Sequence, residues 1–505
     1  MFKKILIANR GEIAVRILRA CRELGIQTVS VYSEVDRASL HVRLADEAYL
    51  IGPASSRESY LRIDKLMDVA KKSGCDALHP GYGFLAENPA LPRACVDAGI
   101  TFIGPSAEAM EAMGSKTAGK QLARRAEVPT VPGTSDPIEN PSEAQALAQS
   151  MGYPVLLKAI AGGGGKGMRV VPNDAAFASA WRDAASEALN AFGDQRVFLE
   201  KYLVGPRHIE IQILADAHGR CVSLGERECS VQRRHQKVVE EAPSPVVTPE
   251  LRRKMGDAAV RLGRAGGYTN AGTVEFLVDA DLNFYFLEVN TRLQVEHPVT
   301  EQVTGLDLVK LQIAIAADHR LPFAWETITP RGHAMEVRLY AEDPDNNFFP
   351  SPGKIISRHA PTGPGIRLDE GVYEGWTVPM DYDPLLSKLI AWGNSREETI
   401  ARLRRALDEY TIMGIRTNVG LFRRILAEPE FLRGAIHTKW LDEMLARPHP
   451  PAASPRPGTE EAALIAAALW HSAQSNASTP GGTAPQEAPS RWKMEGRRRQ
   501  MDHMP

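Results

Sequence analysis

Residues 288–298 carry the densest group of chemically useful side chains in the sequence, with two carboxylates, an amide, an arginine and a glutamine. Alternate side chains of a strand share a face, so Glu288 and Asn290 should point the same way. Residues 272–278 predict a partner strand, and the resulting hairpin would bring Glu275 close to Glu288. Two carboxylates and an amide oxygen suit a hard divalent cation held together with nucleotide phosphates. The alternative is an amphipathic hairpin whose polar face is solvated.

A glycine-rich segment, residues 162–167, matches the spacing GxGxxG. It lies between two predicted strands, 155–160 and 168–171, and does not open a helix, which argues against a dinucleotide site. It also lacks the continuation of a Walker loop. A glycine hairpin can fold over a triphosphate and offer backbone N–H groups, although a mobile surface turn is the simpler interpretation. The lysines that could add positive charge are Lys116, Lys158 and Lys166.

The bulk composition is that of a soluble globular protein: 505 residues, 43% hydrophobic, 24% charged, with a net charge of −2. This charge argues against generic binding to nucleic acids or membranes. The five cysteines contain no CxxC pair, so we expect reduced thiols in a cytoplasmic protein. The first eight residues predict a buried strand and not a signal peptide.

The chain is too long for one core, and its pattern predicts an α/β protein of several domains. Strand 5–8, helix 13–21 and strand 27–32 predict a doubly wound α/β domain over residues 1–115. Residues 116–325 alternate helices with strand pairs, and residues 326–446 form a third, α+β region. A tail rich in proline and alanine follows over 447–505, with one helix near 459–474.

Four long motifs in a fixed order resemble the biotin carboxylase family, within the ATP-grasp superfamily. They are residues 8–14 (ANRGEIA), 79–85 (HPGYGFL), 232–238 (QRRHQKV) and 290–298 (NTRLQVEHP). The resemblance runs to about residue 446. It implies an N-terminal α/β domain, a central ATP-grasp domain with a glycine-rich lid at about 132–204, and a C-terminal α+β domain.

The family's reaction uses ATP to activate bicarbonate as carboxyphosphate and then carboxylates biotin. Glu296 is the candidate general base, because a carboxylate beside Arg292 stays ionised and can take a proton. The Arg292 fork suits carbonate oxygens. By resemblance, Lys237, Gln294 and the backbone of Val295 complete the bicarbonate pocket. The resemblance also assigns Arg338 to the biotin ureido oxygen; its pattern alone predicts only a charge on an amphipathic strand.

For ATP, the resemblance implies phosphate contacts from lysines and glycines, recognition of adenine by a backbone edge, and ribose and phosphate contacts from polar side chains. By this resemblance, the phosphates are contacted by Lys116, Lys158, Gly164 and Gly165. The backbone edge at adenine is that of Glu200, Lys201, Tyr202 and Leu203. The polar side chains at the ribose and phosphates are those of His208, Gln232 and His235. Two Mg²⁺ or Mn²⁺ ions would bind Glu275, Glu288 and Asn290, bridging the phosphates.

The expected partners also follow from the resemblance. Tyr82 resembles the biotin-facing wall, and the helix with Arg19 and Glu23 resembles a homodimer contact. A proline at position 364 departs from the partner segment of that contact. No Ala-Met-Lys-Met motif occurs, so a separate biotin carboxyl carrier protein and carboxyltransferase subunits are expected.

Three interpretations remain open. The first is the carboxylase subunit of acetyl-CoA carboxylase, required for fatty acid synthesis, with propionyl-CoA or pyruvate carboxylase as sister possibilities. The second is another ATP-grasp ligase, such as a carbamoyl-phosphate or purine-pathway enzyme. The third is a nucleotide-binding protein without catalysis.

Overall fold

The computed structural model describes residues 1–134, 137–159, 168–192, 196–322, 328, 330–447 and 459–477. The glycine-rich segment 162–167 lies outside these residues. The chain divides into two compact units, Met1–Met444 and Leu445–Pro505.

The N-terminal region is a parallel sheet, as the sequence predicts, and its strand order is β3-β2-β1-β4-β5. Successive strands are added toward one edge of the sheet from β1 to β3 and toward the other edge from β4 to β5. The loops after β1 and β4 therefore border one crevice. The apolar face of α1, with Ile13 and Ile17, packs on the sheet because these positions recur with helical spacing. The elements are β1 (Lys4–Ile7), α1 (Gly11–Glu23), β2 (Gln27–Ser33), α2 (Leu40–Leu44), β3 (Glu47–Gly52), α3 (Ile63–Ser73), β4 (Ala77–His79), α4 (Ala90–Asp97), β5 (Thr101–Phe102) and α5 (Ala107–Gly114).

The middle region combines a small sheet, ordered β7-β6-β8, with antiparallel hairpins of long strands. The predicted strands around the glycine segment are antiparallel neighbours, with Lys158 opposite Met168. The elements are α6 (Lys116–Arg125), α7 (Pro141–Met151), β6 (Val155–Ala159), β7 (Met168–Val171), α8 (Phe177–Phe192), β8 (Val197–Lys201), β9 (Arg207–Ala215), β10 (Cys221–Arg233), β11 (Gln236–Ala242), α9 (Pro249–Ala265), β12 (Asn270–Val278), β13 (Phe284–Asn290), α10 (His297–Thr304) and α11 (Leu308–Ala316).

The C-terminal part of the first unit continues the same main sheet. Its elements are β14 (His333–Tyr340), β15 (Glu342–Asp343), β16 (Phe349–Pro350), β17 (Gly353–Lys354), β18 (Ser357–His359), β19 (Ile366–Glu370), β20 (Thr377–Val378), β21 (Leu385–Gly393), α12 (Arg396–Glu409), β22 (Thr411–Met413), α13 (Val419–Ile425), α14 (Pro429–Leu432) and α15 (Trp440–Ala446). Eight strands form one sheet in the order β13-β12-β9-β10-β11-β14-β21-β19. Strands from both sides of residue 325 therefore share one hydrogen-bonded surface, which carries the site described below.

The polar faces of the central strands are buried, where the sequence pattern left open a solvated face. All eight residues of β14 are buried, including Glu336 and Arg338, and so are Glu275 and Asn290 on the hairpin. Charged side chains persist in such positions when they are paired or coordinate an ion. This burial argues against a solvated face at Glu275 and Asn290.

The second unit contains α16 (Thr459–Ala477), at the position where the sequence predicts a helix. Its apolar residues, among them Leu464 and Leu469, are exposed. No helix within the described residues is long and apolar enough to cross a membrane.

Candidate active site

Three acidic residues stand side by side on neighbouring strands. The register of β12 and β13 pairs Glu275 with Glu288, which confirms the predicted hairpin, and the register of β12 and β9 pairs Glu275 with Glu210. Asn290 pairs with Thr273 two residues along the same face. Three carboxylates and an amide oxygen form a donor set of the type that hard cations prefer.

Glu275 accepts hydrogen bonds or ion pairs from four side chains. Its Oε1 lies 2.8 Å from Nζ of Lys237, 2.8 Å from Nδ2 of Asn290 and 3.0 Å from Nε2 of Gln294. Its Oε2 lies 2.6 Å from Nε2 of His208. Burial alone would raise the pKa of Glu275, but the charge of Lys237 and the His208 contact lower it well below the usual range. The carboxylate is therefore ionised.

Glu296 is the residue directly before α10, and its side chain has no exposed surface. Its Oε1 accepts from Nζ of Lys237 at 2.8 Å, and its Oε2 accepts from Nη2 of Arg338 at 2.8 Å. Burial would raise its pKa, yet Lys237, Arg338 and the nearby Arg227 together hold the pKa well below its ordinary value. The structure places the predicted base between two cations.

Lys237 links Glu296 to the acidic row, which consists of Glu210, Glu275 and Glu288. Its ammonium also lies 2.6 Å from Oε2 of Glu210, so one cation contacts three carboxylates. Burial would lower the pKa of Lys237, but Glu210, Glu275 and Glu296 raise it well above the ordinary value. Lys237 is therefore a permanent positive charge.

Arg338 and Arg227 supply two further buried charges. Arg338, on β14, forms ion pairs with Glu240 at 2.5 Å and with Glu296 at 2.8 Å. Arg227, on β10, pairs with Glu210 and donates to Gln212 at 2.7 Å and Thr300 at 2.9 Å. Neither Arg227 nor Glu210 was singled out as a candidate from the sequence, because each reads as one charge within an alternating strand.

Arg292 lies beside this group, but Glu296 takes its described partners from other residues. The guanidinium of Arg292 donates to Glu87 at 2.9 Å, to Gln294 at 2.7 Å and to Asn290 at 3.0 Å. Arg292 was expected to keep Glu296 ionised. The cations that contact the Glu296 carboxylate are instead Lys237 and Arg338. Glu87, which also accepts from the backbone N–H of Thr291 at 3.0 Å, had no distinguishing sequence signal.

The candidate nucleotide residues lie mainly around β6 and β8. Lys158 and Lys120 both form ion pairs with the buried carboxylate of Glu200. Lys120 was not among the candidates from the sequence, although it lies on α6, the helix that begins at Lys116. The side chain of Lys116 lies outside the described part of the chain, as do Gly164 and Gly165.

The connection after β8 is held from both sides. The backbone N–H of Lys201 donates to Pro132 at 2.8 Å, and that of Tyr202 donates to Pro154 at 3.1 Å. The hydroxyl of Tyr202 accepts from Lys439 at 2.6 Å. Leu203 follows in the same half-buried segment, which leads into β9.

His208 and Gln232 are brought together, whereas His235 is separate. Nδ1 of His208 lies 2.7 Å from Nε2 of Gln232. His235 is exposed in the turn between β10 and β11, where its φ is +68°. The structure thus joins the first two residues to the acidic row through Glu275 and leaves His235 at a hairpin tip.

Tyr82 reaches the other side of the site. Its hydroxyl donates to Glu12, and Glu12 in turn lies 3.2 Å from Nζ of Lys388. Lys388 donates to the backbone carbonyl of Val295 at 2.8 Å. Glu12 occurs within one of the recognised motifs, and Lys388 is a lone lysine in an apolar strand, a pattern that could have signalled a buried charge.

Comparison with family profiles covers most of the first unit. Residues 1–110 match the biotin carboxylase N-terminal domain, residues 115–324 match the carbamoyl-phosphate synthase L chain ATP-binding domain, and residues 336–443 match the biotin carboxylase C-terminal domain.

Among curated relatives, the chain is 54% identical to the biotin carboxylase of Halalkalibacterium halodurans, over 88% of this chain and 98% of the relative. It is 53% identical to a pyruvate carboxylase subunit from Methanothermobacter thermautotrophicus, over 88% of this chain and 90% of the relative. A solved structure, the biotin carboxylase domain dimer of the Hydrogenobacter thermophilus 2-oxoglutarate carboxylase with MgADP, ADP and bicarbonate, is 46% identical. It matches with a TM-score of 0.80 over 89% of this chain and 100% of that one. The family profiles and these relatives, together with the geometry of the site, show that the chain belongs to the biotin carboxylase family of ATP-dependent ligases.

Proposed function

We propose that this chain carboxylates carrier-bound biotin, using ATP to convert bicarbonate into carboxyphosphate. The observation that carries the proposal is Glu296, a buried carboxylate bonded to Lys237 and Arg338 and preceded by Gln294 and Val295. A base between two cations suits a substrate that is itself an anion and must lose a proton.

Glu296 acts as the general base toward bicarbonate. Its low pKa makes it a weak base on its own, but bicarbonate bound beside Lys237 has its own pKa lowered by the same charge. The charge of Lys237 therefore lowers the pKa of both the proton donor and the proton acceptor, so the two stay comparable. Lys237 also stabilises the carbonate oxygens as their negative charge grows. Arg292, held by Glu87, Gln294 and Asn290, presents its remaining donor to the same anion.

Glu275, Glu288 and Asn290 would hold Mg²⁺ or Mn²⁺, since their oxygens are hard donors and Glu275 is ionised. Two such ions, when bound, would supply positive charge to neutralise the phosphates of ATP. The protein's part is to position these oxygens on the rigid pair β12–β13. Lys158, beside Glu200, contributes a positive charge toward the phosphates, and His208 with Gln232 lines the nucleotide.

Arg338 and Tyr82 bind biotin in this proposal. Arg338 uses one guanidinium nitrogen, Nη2, for both Glu240 and Glu296, and the ureido oxygen of biotin would take other donors of the guanidinium. As negative charge develops on that oxygen, the arginine stabilises it, which is where preorganised donors contribute most.

The partners are a biotin carboxyl carrier protein, carboxyltransferase subunits and a second copy of this chain. We assign the chain to acetyl-CoA carboxylase, with pyruvate or propionyl-CoA carboxylase as the alternative. The relatives bear names with different acceptors at similar identity, so co-purification with a carboxyltransferase, followed by its assay on each acceptor, decides between them.

The deciding experiment measures ADP release by the purified chain with ATP, Mg²⁺ and bicarbonate, with and without free biotin. A biotin-dependent increase that Glu296→Gln abolishes is expected. A biotinylated carrier domain replaces free biotin in a second arm. ATP cleavage stimulated by ammonia or an amine, and by neither form of biotin, would instead support another ATP-grasp ligase.

A further inference from the structure

Two buried charged residues, Glu12 and Lys388, have no part in the reaction proposed above, yet they lie beside its residues. Nζ of Lys388 is 3.2 Å from Oε1 of Glu12, and their side chains are 0% and 2% exposed. Removing two charges from water is costly, and a buried pair of this kind needs further bonds to its remaining donors and acceptors. Those further bonds show what the pair connects.

On one side, Lys388 holds the segment of the general base. It donates to the carbonyl of Val295 at 2.8 Å, and that carbonyl belongs to the peptide that links Val295 to Glu296. The register of β14 and β21 also pairs Lys388 with Arg338, so their side chains share one face of the sheet. Lys388 thus fixes the peptide plane from which Glu296 projects.

On the other side, Glu12 holds the biotin-facing tyrosine. Its carboxylate accepts from the hydroxyl of Tyr82, and the ammonium of Lys388 lies 5.9 Å from the centre of the Tyr82 ring. The backbone around both residues is also constrained. Nδ2 of Asn9 donates to the carbonyls of Pro80 and Tyr82 at 2.7 Å each, and a Cβ added at Gly371 would lie 2.7 Å from the nitrogen of Glu12.

We propose that Glu12 and Lys388 form a positioning pair that fixes Tyr82 relative to the Val295–Glu296 peptide, and so sets the approach of biotin to the activated carboxyl group. The inference rests on the proposed function and adds two residues to it. Four segments meet in this pair: the start of α1, the loop after β4, the loop before α10, and β21. The acidic row takes its described partners from other residues, and so does Glu200 with its two lysines. Loss of the pair should therefore change the kinetic constants for biotin more than the KM for ATP.

The test uses the full chain and measures ADP release against the concentrations of ATP, bicarbonate and biotin. Lys388→Met should lower the biotin-dependent kcat/KM by roughly 10- to 100-fold, the scale of a misplacement near 1 Å. The KM for ATP should stay within about twofold, because that part of the site is untouched. Glu12→Gln should lower the biotin-dependent kcat/KM by a smaller factor, since the amide oxygen can still accept from Tyr82 and Lys388.

The double variant Glu12→Gln/Lys388→Met guards against a folding defect, because it removes both charges of the pair and leaves neither residue charged without the other. Its loss of biotin-dependent kcat/KM should be smaller than the product of the two single losses, as expected for residues that act as a unit. The matched control is Glu226→Gln, which makes the same change at a buried carboxylate paired with Arg252 at 2.6 Å. It should keep the wild-type KM for biotin.

Two results would overturn the inference, and they differ from failure of the proposed function. If the wild type responds to biotin but Lys388→Met changes the KM for ATP and the KM for biotin equally, the pair is merely structural. Fully additive losses in folded variants would lead to the same conclusion. A wild type that shows no response to free or carrier-bound biotin would refute the proposed function itself, and the positioning role with it.

Discussion

Asp36, in the N-terminal sheet region, and Glu296, in the candidate active site, are both buried carboxylates paired with arginine, but their bonding differs. Asp36 accepts four hydrogen bonds: from Arg10 at 2.6 and 2.8 Å, from Tyr60 at 2.6 Å and from Ser39 at 2.8 Å. The described contacts of Glu296 are two, one cation on each oxygen. Both carboxylates are ionised; burial would raise the pKa of Asp36, but Arg10 lowers it to about 2.

The difference concerns acceptor capacity and not charge. An ionised carboxylate has about four lone-pair positions, and Asp36 uses all of them to join the loops after β1 and β2. Glu296 retains positions that a proton from a substrate could occupy. Burial and charge alone therefore do not separate Asp36 from Glu296, whereas the unfilled bonding positions of Glu296 do.

The largest expected effect comes from replacing Glu296 by glutamine. The amide keeps the shape but cannot take a proton, so kcat for biotin-dependent ADP release should fall by about 10²- to 10⁴-fold. Thermal unfolding, followed by circular dichroism, should show a folded protein. Retention of more than a tenth of the wild-type kcat would remove Glu296 from the role of general base and erase its contrast with Asp36.

Lys237→Met should have the next largest effect on activity. It leaves Glu210, Glu275 and Glu296 without their shared cation, so kcat should fall by about 10²- to 10³-fold, the cost of losing one transition-state donor. The free energy of unfolding should also fall, by about 3–5 kcal/mol, because buried negative charges lose their partner. Lys72→Met, at an exposed lysine paired with Asp68, is the control and should change neither quantity appreciably.

Asp36→Asn should give the opposite profile. It breaks a saturated buried pair, so the free energy of unfolding in urea should fall by about 3–5 kcal/mol. The kcat per folded molecule should stay within about twofold. Asp64→Asn, at an exposed pair with Arg62, makes the same change where solvent screens the charges. A large loss of kcat in folded Asp36→Asn protein would show that the two carboxylates are not separate in function.

Sequence periodicity was sufficient to predict the parts of the site that lie within one hairpin. The alternation of side chains placed Glu275 opposite Glu288, and the register confirms this. The helix predicted near 459–474 is observed over Thr459–Ala477. In both cases the residues that determine the result are neighbours in the sequence or in one turn.

Contacts that depend on tertiary packing could not be predicted in the same way. The two cations on Glu296 come from strands 59 and 42 residues away in the sequence. Arg292 is four residues from Glu296, but the loop before α10 directs it toward Glu87. Lys388 reads as a single interruption in an apolar strand, and only the packed sheet reveals that it meets Glu12.

The smallest predicted effect tests the structural side of the comparison through pH. Burial lowers the pKa of His41, close to Asp36 and Arg10, to about 4. The unfolded chain binds a proton on this histidine at a higher pH than the folded protein does, so acid favours unfolding. Between about pH 6.5 and 4 the free energy of unfolding should fall by up to about 1.4 kcal/mol per pH unit from this one proton.

His41→Gln should reduce that slope, measured by urea unfolding at a series of pH values. The remaining slope comes in part from His79, where burial lowers the pKa to about 3. The matched control, His359→Gln, removes an exposed histidine of β18 and should keep the wild-type slope. Equal slopes for the wild type and His41→Gln would mean that His41 contributes no linked proton. The region around Asp36 would then owe its acid sensitivity to the carboxylate alone, and its contrast with the active site would rest only on the count of hydrogen bonds.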